Sequence, residues 1–262
     1  MKKEKFSYKY ILISAGTILG LLLIWETATD VLRLIPAVAL PSPVEVAKTL
    51  LLKMTDTAPD GATIPQHLAT SLKVALSGYS IGVIVGVPLG IAMAWYPKFA
   101  LFAQPLFDLI RPIPGIAWIP LMIIFFGIGL LSKAMVVFTA AFISCVVNSF
   151  WGIRQTRDVH LWVGQTFGAG NFQLLWNVAI PTALPMIFTG MRIALGVSWS
   201  GLVVAELLAS TRGLGFMIQQ CRGLYRPDVI IAGMIAIGFV GAVLSYLLSW
   251  VEKIFLKGRK ES

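Results

Sequence analysis

The sequence predicts an all-α polytopic membrane protein with six transmembrane helices. Hydrophobic residues make up 57% of its 262 residues and charged residues only 13%, whereas soluble domains are about one quarter charged. Apolar runs close to the roughly 20 residues that a helix needs to cross a bilayer account for most of the chain. We therefore expect residues 1–262 to form a single transmembrane domain with its core at about 66–252.

The charge distribution predicts how these helices are oriented. The net charge is +9, but the basic residues are not gathered on one polar face, so binding of nucleic acid is not expected. They cluster at the two ends, as Lys2, Lys3, Lys5 and Lys9 and as Lys253, Lys257, Arg259 and Lys260. The positive-inside rule then places both termini in the cytoplasm. Residues 31–66 and 209–227 are expected outside, and 152–181 inside.

The first 65 residues are predicted to form one helix and an outer segment. Residues 1–30 contain the first helix, at Tyr10–Thr29, and 31–65 are too polar for lipid. Within the outer segment Ser42 followed by Pro43 is a helix-start signal, with serine as the cap and proline in the first turn. The expected interfacial helix would carry its apolar stripe at Val46, Leu50 and Met54.

The second helix, His67–Trp95, carries a ridge of glycines. They are Gly78, Gly82, Gly86 and Gly90, and their four-residue spacing puts all four near one face. In a membrane such a small-residue ridge lets another helix approach closely. The alternative is a glycine-lined path for a substrate.

The remaining helices are predicted from four further apolar runs. These are Ala100–Gly127, Leu130–Phe150, Leu184–Leu208 and Asp228–Val251. The first of them is interrupted at residues 111–115, where two prolines and a glycine predict a broken helix.

An uncharged stretch, Trp162–Pro185, divides into two short pieces. We expect glycines 164, 168 and 170 to hinge the first piece, and Pro181 and Pro185 to end the second. Such a break cannot lie against lipid because its backbone groups would be unpaired there. Residues 151–182 are therefore expected to form a cytoplasmic loop whose apolar face needs a partner.

In this loop Gly168 is followed by nine residues and then by Val178-Ala179-Ile180-Pro181. This spacing resembles the EAA motif of permease subunits of ABC importers. The family pattern begins with Glu-Ala-Ala, where this chain has Trp162, Val163 and Gly164. Residues 111–129, 181–207 and 212–238 resemble the sulfonate, taurine and nitrate branch of these permeases.

The resemblance implies a type I permease fold that works as a dimer, expected to be a homodimer, in the bacterial inner membrane. A separate ATPase would bind ATP and magnesium, and a periplasmic or lipid-anchored binding protein would deliver a small anionic solute. The implied ATPase-coupling residues are Gly164, Phe167, Gly168, Ala169, Phe172, Leu174 and Pro181.

Polar residues within the apolar runs are candidates for a translocation path, because charges are costly in a bilayer. They are Arg111, Arg192, Ser198, Trp199 and Glu206. The alternative for each is a role in clamping or packing helices together. No catalytic residue, metal site or cofactor on this chain is predicted. A gradient-driven secondary transporter or channel is the other function considered, but one isolated Glu206 is weak support for it.

Overall fold

The structure is a computed structural model that describes residues 8–256, and the regular secondary structure in this range is helical. Its α-helices are α1 (Tyr8–Glu26), α2 (Pro43–Leu52), α3 (Ile64–Trp95), α4 (Pro97–Ile110), α5 (Ile119–Phe126), α6 (Leu130–Arg154), α7 (Asp158–Thr166), α8 (Asn171–Leu174), α9 (Ile180–Leu208), α10 (Leu214–Gly223) and α11 (Pro227–Leu256). Two π-helical turns, Thr27–Val31 and Leu175–Ala179, continue α1 and join α8 to α9. A 3-10 turn, Gly115–Trp118, precedes α5. Most of the lysines and arginines expected to orient the termini, at positions 2, 3, 5, 257, 259 and 260, lie outside the described residues.

Within residues 8–256, five stretches are long and apolar enough to cross a membrane. They are Leu12–Val31, Ile64–Trp95, Leu130–Arg154, Asn171–Leu208 and Pro227–Leu256. A sixth candidate is the pair of Pro97–Ile110 and Gly115–Phe126, which is bent by 85°. Its break lies at residues 111–114, where Pro112 and Pro114 lack backbone donors, so the predicted interruption is confirmed. Six crossings result if this bent pair is one span.

The glycine ridge of α3 is a packing face. A Cβ added at Gly82 would lie 2.5 Å from the Cβ of Ala141, and one at Gly86 would lie 2.9 Å from the Phe142 carbonyl oxygen. Gly78 and Gly90 meet α6 in the same way. Any larger residue would push α3 and α6 apart, so the predicted close approach is confirmed. The ridge is covered by α6 and does not line an open path.

Backbone contacts group the described chain into two units, residues up to Gln66 with Met217–Ala236, and His67–Phe216 with the chain from Ile237 onward. In the first unit Ser42 caps α2 as predicted, accepting from the Glu45 backbone N–H at 3.3 Å. The predicted stripe of α2 is wrong at Met54, which is 49% exposed.

The inward position at the end of α2 is taken by its C-cap residue, Lys53, instead of Met54. Its ammonium donates to Asp60 at 2.6 Å and to the carbonyl oxygens of Ala58 and Ala62. One helical turn earlier, Thr49 donates to Asp228 at 2.9 Å. Paired polar groups therefore fill a face for which hydrophobicity predicted an apolar stripe.

The second unit is built around α6 and α9, which pack along their length through small residues. Ala141 and Cys145 of α6 form a buried cluster with Ala194 of α9. Another cluster, at the other end of the pair, joins Ile153 of α6 to Ala183 and Ile187 of α9. This pair carries the connecting segment on which the candidate site is found.

Candidate coupling site

The segment between α6 and α9 turns sharply at Gly168. The Gly168 N–H donates to the Gln165 carbonyl oxygen at 2.8 Å, and the Ala169 N–H donates to that of Gly164 at 3.0 Å. These two bonds form a Schellman motif, which ends α7 with a residue in the left-handed region. Gly168 has φ +79°, a conformation that glycine adopts without the penalty caused by a Cβ. The expected turn at Gly168 is confirmed.

The second half of the segment is one helix with α9. The Gly170 N–H donates to the Gln173 side-chain oxygen at 2.9 Å, which caps the start of α8. From Asn171 the helix then continues to Leu208. The prediction that Pro181 and Pro185 end this piece is therefore wrong.

A π-helical turn explains how the helix passes Pro181. The Ile180 N–H bonds to the Leu175 carbonyl oxygen, five residues back. Pro181 directly follows Ile180, the C-cap of this turn, so the irregular hydrogen bonding falls where the proline lacks an N–H. The Thr182 hydroxyl also donates to the Val178 carbonyl oxygen at 2.6 Å.

Gly164 and Leu174 hold α7 against α8. Leu174 is buried, and a Cβ on Gly164 would lie 2.5 Å from its Cδ2 atom. Gly164 lies within α7, so the prediction that it would act as a hinge is wrong. Leu174 was expected to offer an apolar contact to a partner, but its side chain is used inside the segment.

An aromatic surface remains exposed on the same segment. It consists of Trp162, Phe167, Phe172 and Trp176, and Phe167 is the most exposed of them at 87%. The Phe172 and Trp176 rings lie 6.1 Å apart. Ala169 and Pro181 are half-buried. Several large apolar groups exposed on one short segment are typical of a surface that binds another protein.

The opposite face of the segment is anchored in the second unit. Leu175 and Ala179 are buried in a cluster with Ala94 of α3 and Ile153 of α6. The aromatic surface is therefore presented from a fixed support.

The structure accounts for three of the predicted path residues by internal contacts. Ser198 donates to the Val137 carbonyl oxygen at 3.1 Å, and the Trp199 indole N–H donates to that of Ile237 at 3.2 Å. Both side chains are buried. Arg192 forms an ion pair with Glu252. These contacts favour the packing alternative, whereas Arg111 is exposed at the break between α4 and α5.

Glu206 joins α3, α9 and the start of α10. Its carboxylate accepts from the Ser71 hydroxyl at 2.8 Å and from the Gly215 N–H at 2.9 Å. The Gly213 N–H donates to the His67 ring nitrogen Nδ1 at 3.1 Å. Sequence reasoning identified Glu206 but missed Ser71, His67 and the two glycines. Ser71 lies 135 positions from Glu206 and His67 lies 146 positions from Gly213, whereas the bond from Gly215 spans only nine positions but crosses the turn after α9. These hydrogen bonds favour the alternative considered for Glu206, in which this residue clamps helices together.

Comparison with known proteins decides the family. Residues 86–261 match the family model of the binding-protein-dependent transport system inner membrane component. The chain belongs to this family. It is accordingly a multi-pass permease subunit of an ABC importer, as the sequence resemblance implied, and not a gradient-driven transporter. The family implies an ATPase and a solute-binding protein as partners.

Relatives of known name cover nearly the whole chain. The taurine transport system permease protein TauC of Escherichia coli is 40% identical over 94% of this chain and 89% of its own length. The putative aliphatic sulfonates transport permease protein SsuC of Bacillus subtilis is 32% identical over 93% and 88%. The bicarbonate transport system permease protein CmpB of Synechococcus elongatus is 30% identical over 98% and 94%. These names confirm the predicted branch of the family.

A solved structure confirms the fold. A chain from inward-facing conformations of the MetNI methionine ABC transporter superposes with a TM-score of 0.62 and 17% identity. It covers 74% of this chain and 95% of the solved chain. The type I permease fold predicted from the sequence is therefore present.

Proposed function

We propose that this permease subunit imports a small anion of the sulfonate, taurine, nitrate or bicarbonate class. The names of its relatives support this substrate class, because the similarity to TauC, SsuC and CmpB extends over nearly the whole chain. ATP and magnesium bind to a separate ATPase chain. The role of this chain is to form the translocation path and to change the side to which it opens.

The aromatic surface is the observation that carries the coupling proposal. Phe167, Phe172 and Trp176 are exposed on a segment whose other face is anchored. The front acid of the family motif is replaced here by Trp162. Docking on the ATPase therefore depends on apolar contacts and on the backbone turn at Gly168. Gly164, Ala169, Leu174 and Pro181 act by shaping the segment.

Two copies of the chain form the path at their interface, and both termini and residues 151–182 face the cytoplasm. The outer segment, 31–65, faces the binding protein, which is periplasmic or lipid-anchored. Each copy of 1–262 acts as a single transmembrane domain. Closure of the ATPase pair then moves the coupling segments and shifts the helices between outward-facing and inward-facing states.

Reconstituted transport tests this proposal. Liposomes that contain the permease and its ATPase, with binding protein added outside, should accumulate labelled taurine or a competing small anion only when ATP is inside. Unlabelled ethanesulfonate, nitrate and bicarbonate serve as competitors that identify the class. The anion assignment is wrong if none of these ligands stimulates ATP hydrolysis. Uptake by liposomes that hold this chain alone, driven by an ion gradient, would contradict the importer mechanism.

A further inference from the structure

A cavity of about 180 Å³ lies at the end of the second unit away from the coupling segment. Its position follows from the two central helices. The segment that connects α6 to α9 leaves from Arg154, whereas the cavity is lined at the other end by the start of α6, at Leu130, and by residues just after α9. Since a water molecule in the liquid occupies about 30 Å³, the cavity has room for a small organic anion.

Lys133 brings a buried positive charge to this cavity. The residue is only 7% exposed, and its ammonium donates to the Ser210 hydroxyl at 2.8 Å. An ammonium has three N–H donors, and Ser210 accepts from one of them. Burying a charged group is costly unless other groups compensate for its lost hydration. The hydrogen bond to Ser210 therefore holds the Lys133 ammonium at the end of α6 that lines the cavity.

Arg212 adds a second cation to the lining. It is exposed, and its backbone is fixed because the Ser210 hydroxyl donates to the Arg212 carbonyl oxygen at 2.7 Å. The same serine thus connects Lys133 to the loop that carries Arg212. The N-terminus of α6 contributes a further partial positive charge of about half a unit.

The charge balance of the cavity is positive. Among the described residues that line it, none is acidic. The Glu206 carboxylate is not part of the lining and is held by Ser71 and Gly215. Lys133, Arg212 and the N-terminal end of α6 therefore give the lining its positive charge. An oxyanion in the cavity would have guanidinium, ammonium and hydroxyl donors around it.

We propose that this cavity is an anion-binding site that receives the oxyanion group of the substrate, a sulfonate or a group of similar size and charge, with Lys133, Arg212 and Thr211 as ligands. The inference rests on the proposed function for the identity of the ligand and for placing the cavity on the outer side. The site adds to the importer a first point of contact that favours anions before the path opens.

A cysteine at Thr211 measures the selectivity of the cavity directly. The permease–ATPase complex in lipid nanodiscs, carrying Thr211→Cys, is treated with two thiol reagents of similar size, 2-sulfonatoethyl and 2-(trimethylammonio)ethyl methanethiosulfonate. The ratio of anionic to cationic rate should be about tenfold higher than at a Leu224→Cys control, since local potentials raise counter-ion encounter by factors of this order. Leu224 is 46% exposed and lies just after α10, and the native cysteines are buried.

Further substitutions in the Thr211→Cys protein test whether the labelling ratio depends on the positive charge of Arg212. Adding Arg212→Gln should reduce the ratio toward the control value, whereas Arg222→Gln, which removes an equal charge from α10, should leave it unchanged. Excess ethanesulfonate should slow modification of Thr211→Cys. Because Arg212 is exposed, its variant is expected to fold even if Lys133→Gln does not.

The inference is wrong if the two cysteines give equal ratios, if Arg212→Gln has no effect, or if ethanesulfonate gives no protection. The labelling needs no transport, so its result is independent of the uptake assay. An anion-selective cavity in a complex that imports none of the tested anions would contradict the proposed function alone. Import of an anion by a complex with an unselective cavity would contradict this inference alone.

Discussion

The Ser71 hydroxyl donates to the Glu206 carboxylate at 2.8 Å, although 135 positions separate the two residues. The Ser71 hydroxyl oxygen also accepts from the Leu214 backbone N–H at 3.0 Å. One small side chain of α3 therefore satisfies a buried carboxylate of α9 and a donor at the start of α10. Polar groups buried in this way stabilise a fold only while every member keeps its partner.

We predict that Ser71→Ala destabilises the protein. The change leaves the Leu214 N–H and one side of Glu206 without this partner, and an unsatisfied buried polar group costs about 1–3 kcal/mol. The measurement is the thermal unfolding midpoint in detergent. Ser77→Ala is the matched control, because the Ser77 hydroxyl donates to the Val74 carbonyl oxygen of its own helix. Equal midpoints for the two variants would contradict a clamp at Ser71.

Gly82→Leu is expected to impair folding. The new side chain would enter the space of Ala141 and of the Phe138 backbone, and overpacking typically costs about 1–3 kcal/mol. The yield of monodisperse protein and its thermal midpoint give the result. The control is Gly20→Leu in α1, where an added Cβ meets nothing within 4 Å. A stable Gly82→Leu protein that has lost transport would favour a path along the ridge instead.

Gly168→Asp should leave the helices inserted but weaken association with the ATPase. A residue other than glycine at φ +79° is strained by about 1–2 kcal/mol. The new side chain would also project from the turn that, in our proposal, docks on the ATPase. Co-purification of the ATPase and stimulation of its hydrolysis by loaded binding protein are measured.

Gly170→Asp separates backbone strain from added charge. Gly170 caps α8 with φ −71° and ψ 165°, a conformation and a position that aspartate favours. We expect this variant to behave nearly as the original protein. If Gly168→Asp also binds its ATPase and couples normally, the coupling site is placed wrongly.

The native Cys221 should resist thiol reagents. Burial raises the pKa of the Cys221 thiol to about 11, and the thiolate is the reactive form. At pH 8 this corresponds to about one thiolate per thousand thiols, a fraction that rises as the pH approaches 11. Maleimide labelling of the folded protein, compared with protein unfolded in detergent, checks this. Rapid labelling of folded protein at pH 8 would contradict the buried position.

Cysteines at Gln173 and Thr57 test the orientation. We expect Gln173→Cys to react only with a reagent that reaches the cytoplasmic side, and Thr57→Cys to react from outside. Both assignments follow from the lysines near the termini and the number of crossings. Labelling of both positions from the same side of intact cells would contradict the proposed topology.

The interrupted helix and the glycine ridge were predictable because the sequence carries their cause locally. Two prolines within residues 111–115 break a helix in almost any setting, and glycines spaced by four residues lie on one face of any α-helix. Gly168 was also predictable, since its spacing to the Ile180-Pro181 pair follows the family motif. In these cases the neighbours along the chain decide the structure.

The errors arose where distant partners or a wider helical turn decide the outcome. Pro181 ends no helix because the π-helical turn before it absorbs the irregular hydrogen bonding. Lys53 displaces Met54 from the buried face of α2 because Asp60 and two carbonyl groups receive its ammonium. Leu174 turns inward because Gly164 leaves space for it. None of these pairings has a periodic signal in the sequence.

The continuous helical stretch from Asn171 to Leu208 has the geometry of a lever. Its 38 residues correspond to about 57 Å at 1.5 Å per residue, so one rod carries Phe172 at one end and Glu206 at the other. In the coupling that we propose, a tilt of a few degrees imposed at Phe172 would displace the opposite end by several ångströms, and Glu206 would pass that displacement to Ser71 and to the first turn of α10. A force on the aromatic surface would then reach the Glu206 end of the helix through the π-helical turn alone.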